Sequence, residues 1–170
     1  MNKRHLVIAG GVIILIIGWA LFRPELLFFD KSVNESFPGD SMPTAHVAAA
    51  AVPAASPQTM TLRSGAFHSV AHETRGTASI HQLSDGKRVL RFTGFETSNG
   101  PDVRVLLVAA DDASDNDTVK NGMPIELGKL KGNIGDQNYE IPAGADLGKY
   151  KAVTIWCHRF SVNFATAPLM

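Results

Sequence analysis

Hydrophobic and polar positions divide the chain into three stretches of different texture. Residues 6–22 (LVIAGGVIILIIGWALF) are apolar without interruption and carry no charge. Seventeen residues of helix measure roughly 25 Å at 1.5 Å per residue, the short end of a membrane span. Lys3, Arg4 and His5 precede the run and Arg23 follows it. Basic flanks favour the cytoplasmic side, which predicts the amino end inside and the body outside. The apolar core is longer than a signal-peptide core and is followed by Phe22-Arg23-Pro24 with no small-x-small cleavage site, so an uncleaved anchor over residues 1–23 is favoured. The second stretch, residues 24–58, begins with the amphipathic ELLFFDKSVNESF of Glu25–Phe37. This reads as an interfacial continuation of the anchor or as a docking element. Pro38–Gln58 (PGDSMPTAHVAAAAVPAASPQ) is rich in Pro, Ala and Ser, and reads as an extended, disordered tether.

From Thr59 to Met170 the texture changes to short β-favouring runs separated by turn signals. That spacing predicts an all-β fold, an antiparallel β-sandwich or barrel-like domain, preceded by one transmembrane helix and a disordered linker. The predicted strands are Leu62–His68, Thr77–Leu83, Arg88–Phe95, Val103–Ala109, Ile125–Leu127, Asn138–Ile141, Ala152–Cys157 and Phe160–Phe164. Asp85-Gly86 marks a hairpin turn, and Asn99-Gly100-Pro101-Asp102 a sharper break. The polar run Ala110–Gly122 reads as a surface loop, and no segment of the domain shows a helical period. Along the last strands Val153, Ile155 and Cys157 share one face, with Thr154, Trp156 and His158 on the other. Phe160, Val162 and Phe164 have the opposite parity, so a bend near His158–Arg159 is needed for both apolar sets to face one core.

Charge removes one class of function. Sixteen basic residues balance sixteen acidic ones, so no basic surface for nucleic acid is expected. Cysteine usage sharpens the rest, because Cys157 is the only cysteine and an internal disulfide is impossible. One cysteine cannot make the C-x-x-C-H of a c-type haem, a thioredoxin pair or a typical iron–sulfur cluster. A mononuclear copper site would take Cys157, two of His68, His72, His81 and His158, and Met123 as the axial ligand. His158, however, points away from Cys157 on a regular strand. A Cys–His nucleophile lacks any accompanying hydrolase or transferase motif, and Leu127–Gly135 does not have the spacing of a phosphate loop. Residue type alone leaves Cys157 open between a buried spacer and a reactive thiol.

Three blocks carry a resemblance. Leu90–Val103 (LRFTGFETSNGPDV), Leu127–Pro142 (LGKLKGNIGDQNYEIP) and Val153–Leu169 (VTIWCHRFSVNFATAPL) together resemble the DM13 domain, in that family's order. The Ile-Trp-Cys setting of Cys157 is the most specific of the three. The resemblance implies a compact extracytoplasmic β module over residues 59–170, proposed to act in electron transfer with the cysteine as redox centre. The expected site is then Cys157 as redox centre, supported by Trp156, His158 and Arg159, where His158 and Arg159 would favour the thiolate. The cofactor is unknown, with copper or haem as minor alternatives. In animal members the domain accompanies DOMON domains, thought to bind haem or sugar, so a cofactor-bearing partner would be a separate protein. Partners expected overall are the membrane, through residues 6–22, and a redox or binding protein. The location expected is the cell membrane, single-pass, with the carboxyl-terminal domain outside the cytoplasm. The alternative is a non-enzymatic binding or adhesion sandwich, presenting loops such as Asn99–Asp102 and Ala110–Gly122, in which Cys157 only packs.

Overall fold

The computed structural model of the chain describes residues 3–22, 29–40 and 59–170. The readings made for residues 23–28 and 41–58, the disordered tether among them, lie outside the described residues. Helix α1, Lys3–Phe22, takes up the apolar run, with Ile8, Val12 to Ile17 and Trp19 all exposed. Among the described residues no helix is long and apolar enough to cross a membrane, so a spanning anchor at residues 1–23 is not supported at this level.

Nine strands follow: β1 Met60–Ala66, β2 His68–Ser69, β3 Arg75–Gln82, β4 Arg88–Glu96, β5 Val103–Val108, β6 Ile125–Lys129, β7 Gln137–Ile141, β8 Ala152–Cys157 and β9 Val162–Pro168. They form two antiparallel sheets, one in the order β1-β3-β4-β7 and the other β2-β9-β8-β5-β6. This agrees with the sandwich expectation. Phe67, Phe92, Phe95 and Tyr139 meet between the sheets with ring centroids 4.9–5.4 Å apart, beside Ile80, Leu90, Val105 and Ile155. Each fully buried side chain of this size contributes roughly 1.5–3 kcal/mol by leaving water.

The five-stranded sheet is covered on both faces, which local alternation does not announce. Every residue of β8 is buried. Val153, Ile155 and Cys157 face the inter-sheet core, whereas Ala152 and Trp156 join Leu106, Val108, Ala113 and Val119 on the outer side. The cover comes from the stretch read as a loop. It holds a short helix, α2, Asn116–Asn121, capped by Asp115, whose carboxylate accepts from the Thr118 N–H at 2.7 Å. Val119 is its buried residue. Ala113 tightens the seal, because its carbonyl accepts from Asn163 Nδ2 and Thr166 Oγ1, both at 2.7 Å.

The parity change near Cys157 is resolved in two steps. A turn follows β8, with Ser161 at φ 53°, and a bulge in β9 shifts the register so that Ile155 faces Ala165 while Trp156 faces Asn163. Phe164 thereby enters the main core, but Phe160 stays 57 % exposed, so its expected place in the apolar set is corrected.

Residues 29–40 pack against the domain. Ser32 pairs with Ile134 in parallel, and Ile134 also pairs with Glu96, which adds a strap beside the four-stranded sheet. Val33 and Glu35 donate their N–H groups to the carbonyls of Ile134 and Asp136, both at 2.9 Å. Beyond them a 3₁₀ turn runs over Pro38–Asp40. Residues 29–37 act as a docking element on the domain: the Lys31, Val33 and Glu35 N–H groups and the Glu35 carboxylate are bonded to it.

Candidate functional site

Cys157 is the last residue of β8, opposite Val103 of β5 and Val162 of β9, and its exposure is 0 %. It is a free thiol. The β5–β8 ladder continues one step further, because the His158 N–H donates to the Asp102 carbonyl at 2.8 Å. This bond fixes the direction in which the chain leaves the strand. His158 therefore turns its ring outward, away from Cys157, with Nδ1 3.4 Å from Asp102 Oδ2. Arg159 is exposed on the following turn, and Trp156 lies in the outer apolar cluster. The three supporting residues are neighbours of Cys157 in sequence, and the side chains of Trp156 and His158 leave the thiol in other directions.

What closes over the thiol end is apolar. Gly100 lets the preceding loop approach: a Cβ there would come 2.6 Å from Val103 Cγ2 and 3.1 Å from Phe164 Cζ. His72 covers Phe164 from outside, with ring centroids 3.8 Å apart, and its burial pulls the His72 pKa down. Next to this plug is a cleft of about 240 Å³ lined by Phe29, Pro101, Val103, Leu130, Lys31 and Lys129 among others. Val103 thus both pairs with Cys157 across the ladder and lines the cleft.

An ionic set braces the same end. Asp102 receives two hydrogen bonds from Arg104, at 3.1 and 2.9 Å, and Arg104 also reaches Glu126 at 2.7 Å. The Arg104 hydrogen bonds hold the Asp102 carboxyl below its usual range against the opposing effect of burial, with the Arg104, Lys129 and His158 charges adding to the lowering. The sequence reading passed over this set. Its only local signal is the two-residue spacing of Asp102 and Arg104, and Glu126 comes from the neighbouring strand β6.

The histidines considered for copper are dispersed. His68 Nε2 sits 2.8 Å from Asp112 Oδ1, His72 lies on Phe164, and His81 contacts Thr61 and the ring of Phe37. Met123, the axial candidate, is 56 % exposed and accepts a long contact from Lys149. Among the described residues no group of three or more His, Cys, Asp and Glu side chains is arranged to hold a metal ion.

Comparison with known families gives a match to the family described as Electron transfer DM13 over residues 66–169, more than half of the chain. The chain belongs to the DM13 family. The match takes in both sheets apart from β1, of which it includes only Ala66, and it contains Cys157, Gly100, Val103 and Phe164. DM13 membership makes the domain a module of the electron-transfer type. The match begins after the strap, so residues 29–40 are no part of the DM13 segment. No curated protein and no solved structure matches the chain.

Proposed function

We propose that this chain is a membrane-tethered, extracytoplasmic electron-transfer module in which Cys157 is the redox centre and works when the β5–β8–β9 end opens. The observation that carries the reading is the position of Cys157: it ends its strand at an exposed turn, and its cross-strand partner Val103 lines a cleft. The chemistry available to a lone thiol is exchange with a disulfide on a partner protein. The Cys157 thiolate attacks one sulfur, a new S–S bond forms, the partner's S–S bond breaks, and the departing sulfur leaves with the electron pair as a thiolate. The proton of Cys157 passes to solvent through the opened end. Trp156 packs in the outer cluster and His158 lies at Asp102; with Arg159 they border the segment that must move.

The tether is supported by the uncharged run of residues 6–22 and by the length of α1, whose 20 residues measure about 30 Å, the thickness of a bilayer core. Against it stands the lack, among the described residues, of a helix long and apolar enough to span. Lys3 and Arg4 ahead of the run support a domain outside the cytoplasm.

A second reading is favoured by the complete burial of Cys157, which is the usual state of a packing cysteine. In that reading the domain is a binding module, and the thiol fills space. Iodoacetamide labelling of the intact chain in detergent micelles separates the two. For the redox reading, the folded protein labels much faster than it unfolds globally, and Val103→Ala accelerates labelling further. Labelling that waits for global unfolding, with or without Val103→Ala, overturns the redox reading and leaves the packing one.

A further inference from the structure

The strap is held along its length by groups from distant parts of the domain. Asn99 Nδ2 donates to the Phe29 carbonyl and to Asp30 Oδ1, both at 3.0 Å. Asn133 accepts from the Lys31 N–H at 2.7 Å and donates to Asp30 Oδ1 at 2.8 Å. Further on, Glu35 takes Lys131 Nζ at 2.7 and 2.9 Å and caps the Asn138 N–H of the β7 edge at 2.8 Å. Asn138 Nδ2 returns a bond to the Ser36 carbonyl. At the far end Phe37 packs against His81, 4.8 Å between centroids, with the Arg91 guanidinium 5.6 Å from the Phe37 ring centre. The floor is built for it: Gln137, fully buried, accepts from the Lys131 and Gly132 N–H groups and returns a bond to the Gly132 carbonyl, fixing the loop on which Lys31 rests.

Two connections decide what the strap does. A Cβ on Gly39 would lie 2.6 Å from Thr59 Oγ1, so the chain leaves the fold and re-enters it at neighbouring points. Residues 41–58 therefore add no distance between the domain and whatever precedes the strap. On the other side, Phe29 follows the end of α1 by seven residue steps, at most about 25 Å of chain.

We propose that residues 29–40 clamp the domain to the surface of the bilayer, with the Asn99–Asp102 and Lys129–Asn133 end facing the lipid, so that the length of residues 41–58 does not set the distance between the domain and the bilayer. The surface concerned is the one at which the strap enters, beside the cleft next to Cys157. Lys31, Lys129 and Lys131 line it with Asp102 as the one acidic residue, and Arg104 and Lys129 offset the Asp102 charge, which leaves a basic balance suited to anionic head groups. The strap turns the thiol-bearing end of the module toward the membrane, so the partner in electron transfer would have to be reached at the bilayer surface. The proposal rests on the membrane reading of α1.

Its test has two arms. In detergent micelles, a protease site is placed within residues 45–54 of the full chain and cut. The amino fragment co-elutes with the domain if the strap is docked, and separation of the two overturns the strap regardless of any membrane. In phosphatidylcholine–phosphatidylglycerol vesicles, with Cys157→Ala as background, energy transfer to a lipid-surface dye is measured from a fluorophore on Lys129→Cys or Lys87→Cys. Transfer is stronger from residue 129. Lengthening the chain between residues 50 and 51 leaves it unchanged, and the same insertion between residues 25 and 26 lowers it several-fold. Loss of transfer on lengthening at residue 50 overturns the clamp. A chain that fails to float with the vesicles removes the membrane reading, while the cleavage arm still reports on the strap.

Discussion

Gly132→Ala is the sharpest probe of how the strap is held. The three heavy atoms nearest to a methyl group at residue 132 all belong to the strap: the Lys31 carbonyl oxygen and carbon, and Val33 Cγ2 at 2.8 Å. The backbone angle at residue 132 is outside the left-handed range, so alanine itself is tolerated there. The strap must then withdraw by about an ångström, and three bonds around the clash are broken or weakened: Lys31 N–H to Asn133, Ile134 N–H to Lys31, and Val33 N–H to Ile134. At about 0.5–1.5 kcal/mol net for each, the loss is about 2–4 kcal/mol. Removing a glycine from the unfolded chain works in the opposite direction, by about 0.4–1 kcal/mol. The net expectation is a destabilisation of about 1–3 kcal/mol. Denaturant unfolding, followed by the fluorescence of buried Trp156, reads it as a lower midpoint at constant slope. The decisive control repeats the substitution in a chain whose residues 29–36 are replaced, one for one, by glycine and serine. There the clash is gone, and Gly132→Ala becomes neutral or slightly stabilising. An equal loss in both backgrounds would refute the reasoning, since the methyl group would then be striking the domain itself.

Two further expectations concern charge and the thiol. Burial raises the Glu35 pKa, but the Lys131 hydrogen bond, the Asn138 N–H and the Lys131 charge outweigh it, so the net shift is downward; Asp102 is lowered as well, chiefly by Arg104. Carboxyls depressed on folding stabilise the native state above their ordinary values of 4.5 and 3.8, and that stability is lost as pH falls through the lower folded values. The unfolding midpoint should fall progressively below about pH 4.5, less steeply in Glu35→Gln, and a profile that Glu35→Gln leaves unaltered would contradict the strap ion pair. At Cys157 the order of two small substitutions is expected to be Ala above Ser in stability. Serine adds a hydroxyl to a wholly apolar surrounding at a cost of about 1–3 kcal/mol when unpaired, and denaturant melts in which Ser equals or exceeds Ala would show a polar neighbour or solvent at the site.

Much of the sandwich was legible because period-two alternation and turn residues are local signals. The β8 boundaries, Ala152–Cys157, coincide with the sequence reading, as does the division of its side chains between two faces. Phe160 was misplaced because parity alone cannot say which residues of a turn rejoin the strand; the bulge opposite Ile155–Trp156 decides it. Helix α2 is six residues long, too short for periodicity, and its one written signal is Asp115 three residues before Thr118. The docking of residues 29–40 left almost no trace. It depends on backbone groups and on Asn99, Asn133 and Lys131, roughly 70–100 positions away, so no local window contains both halves of any bond. At the site, sequence adjacency brought Trp156, His158 and Arg159 to Cys157, whereas strand geometry sends Trp156 and His158 elsewhere.

The pairing of Ser64 with Met170, N–H to carbonyl in both directions at 3.1 Å, has a consequence for biosynthesis. It joins the first long strand to the residues just beyond the last across more than a hundred positions, and Arg63 adds a bond to the Leu169 carbonyl. In a chain made from its amino end β1 can pair with β3 early, but this seam cannot form until residue 170 has emerged. Until then β1 lacks these partners and the apolar faces that the finished sandwich will cover are open. The half-made domain is therefore a client for whatever holds nascent chains apart until this seam closes. A stall or cut a few residues short of residue 170 would leave the seam between β1 and the segment after β9 unsewn.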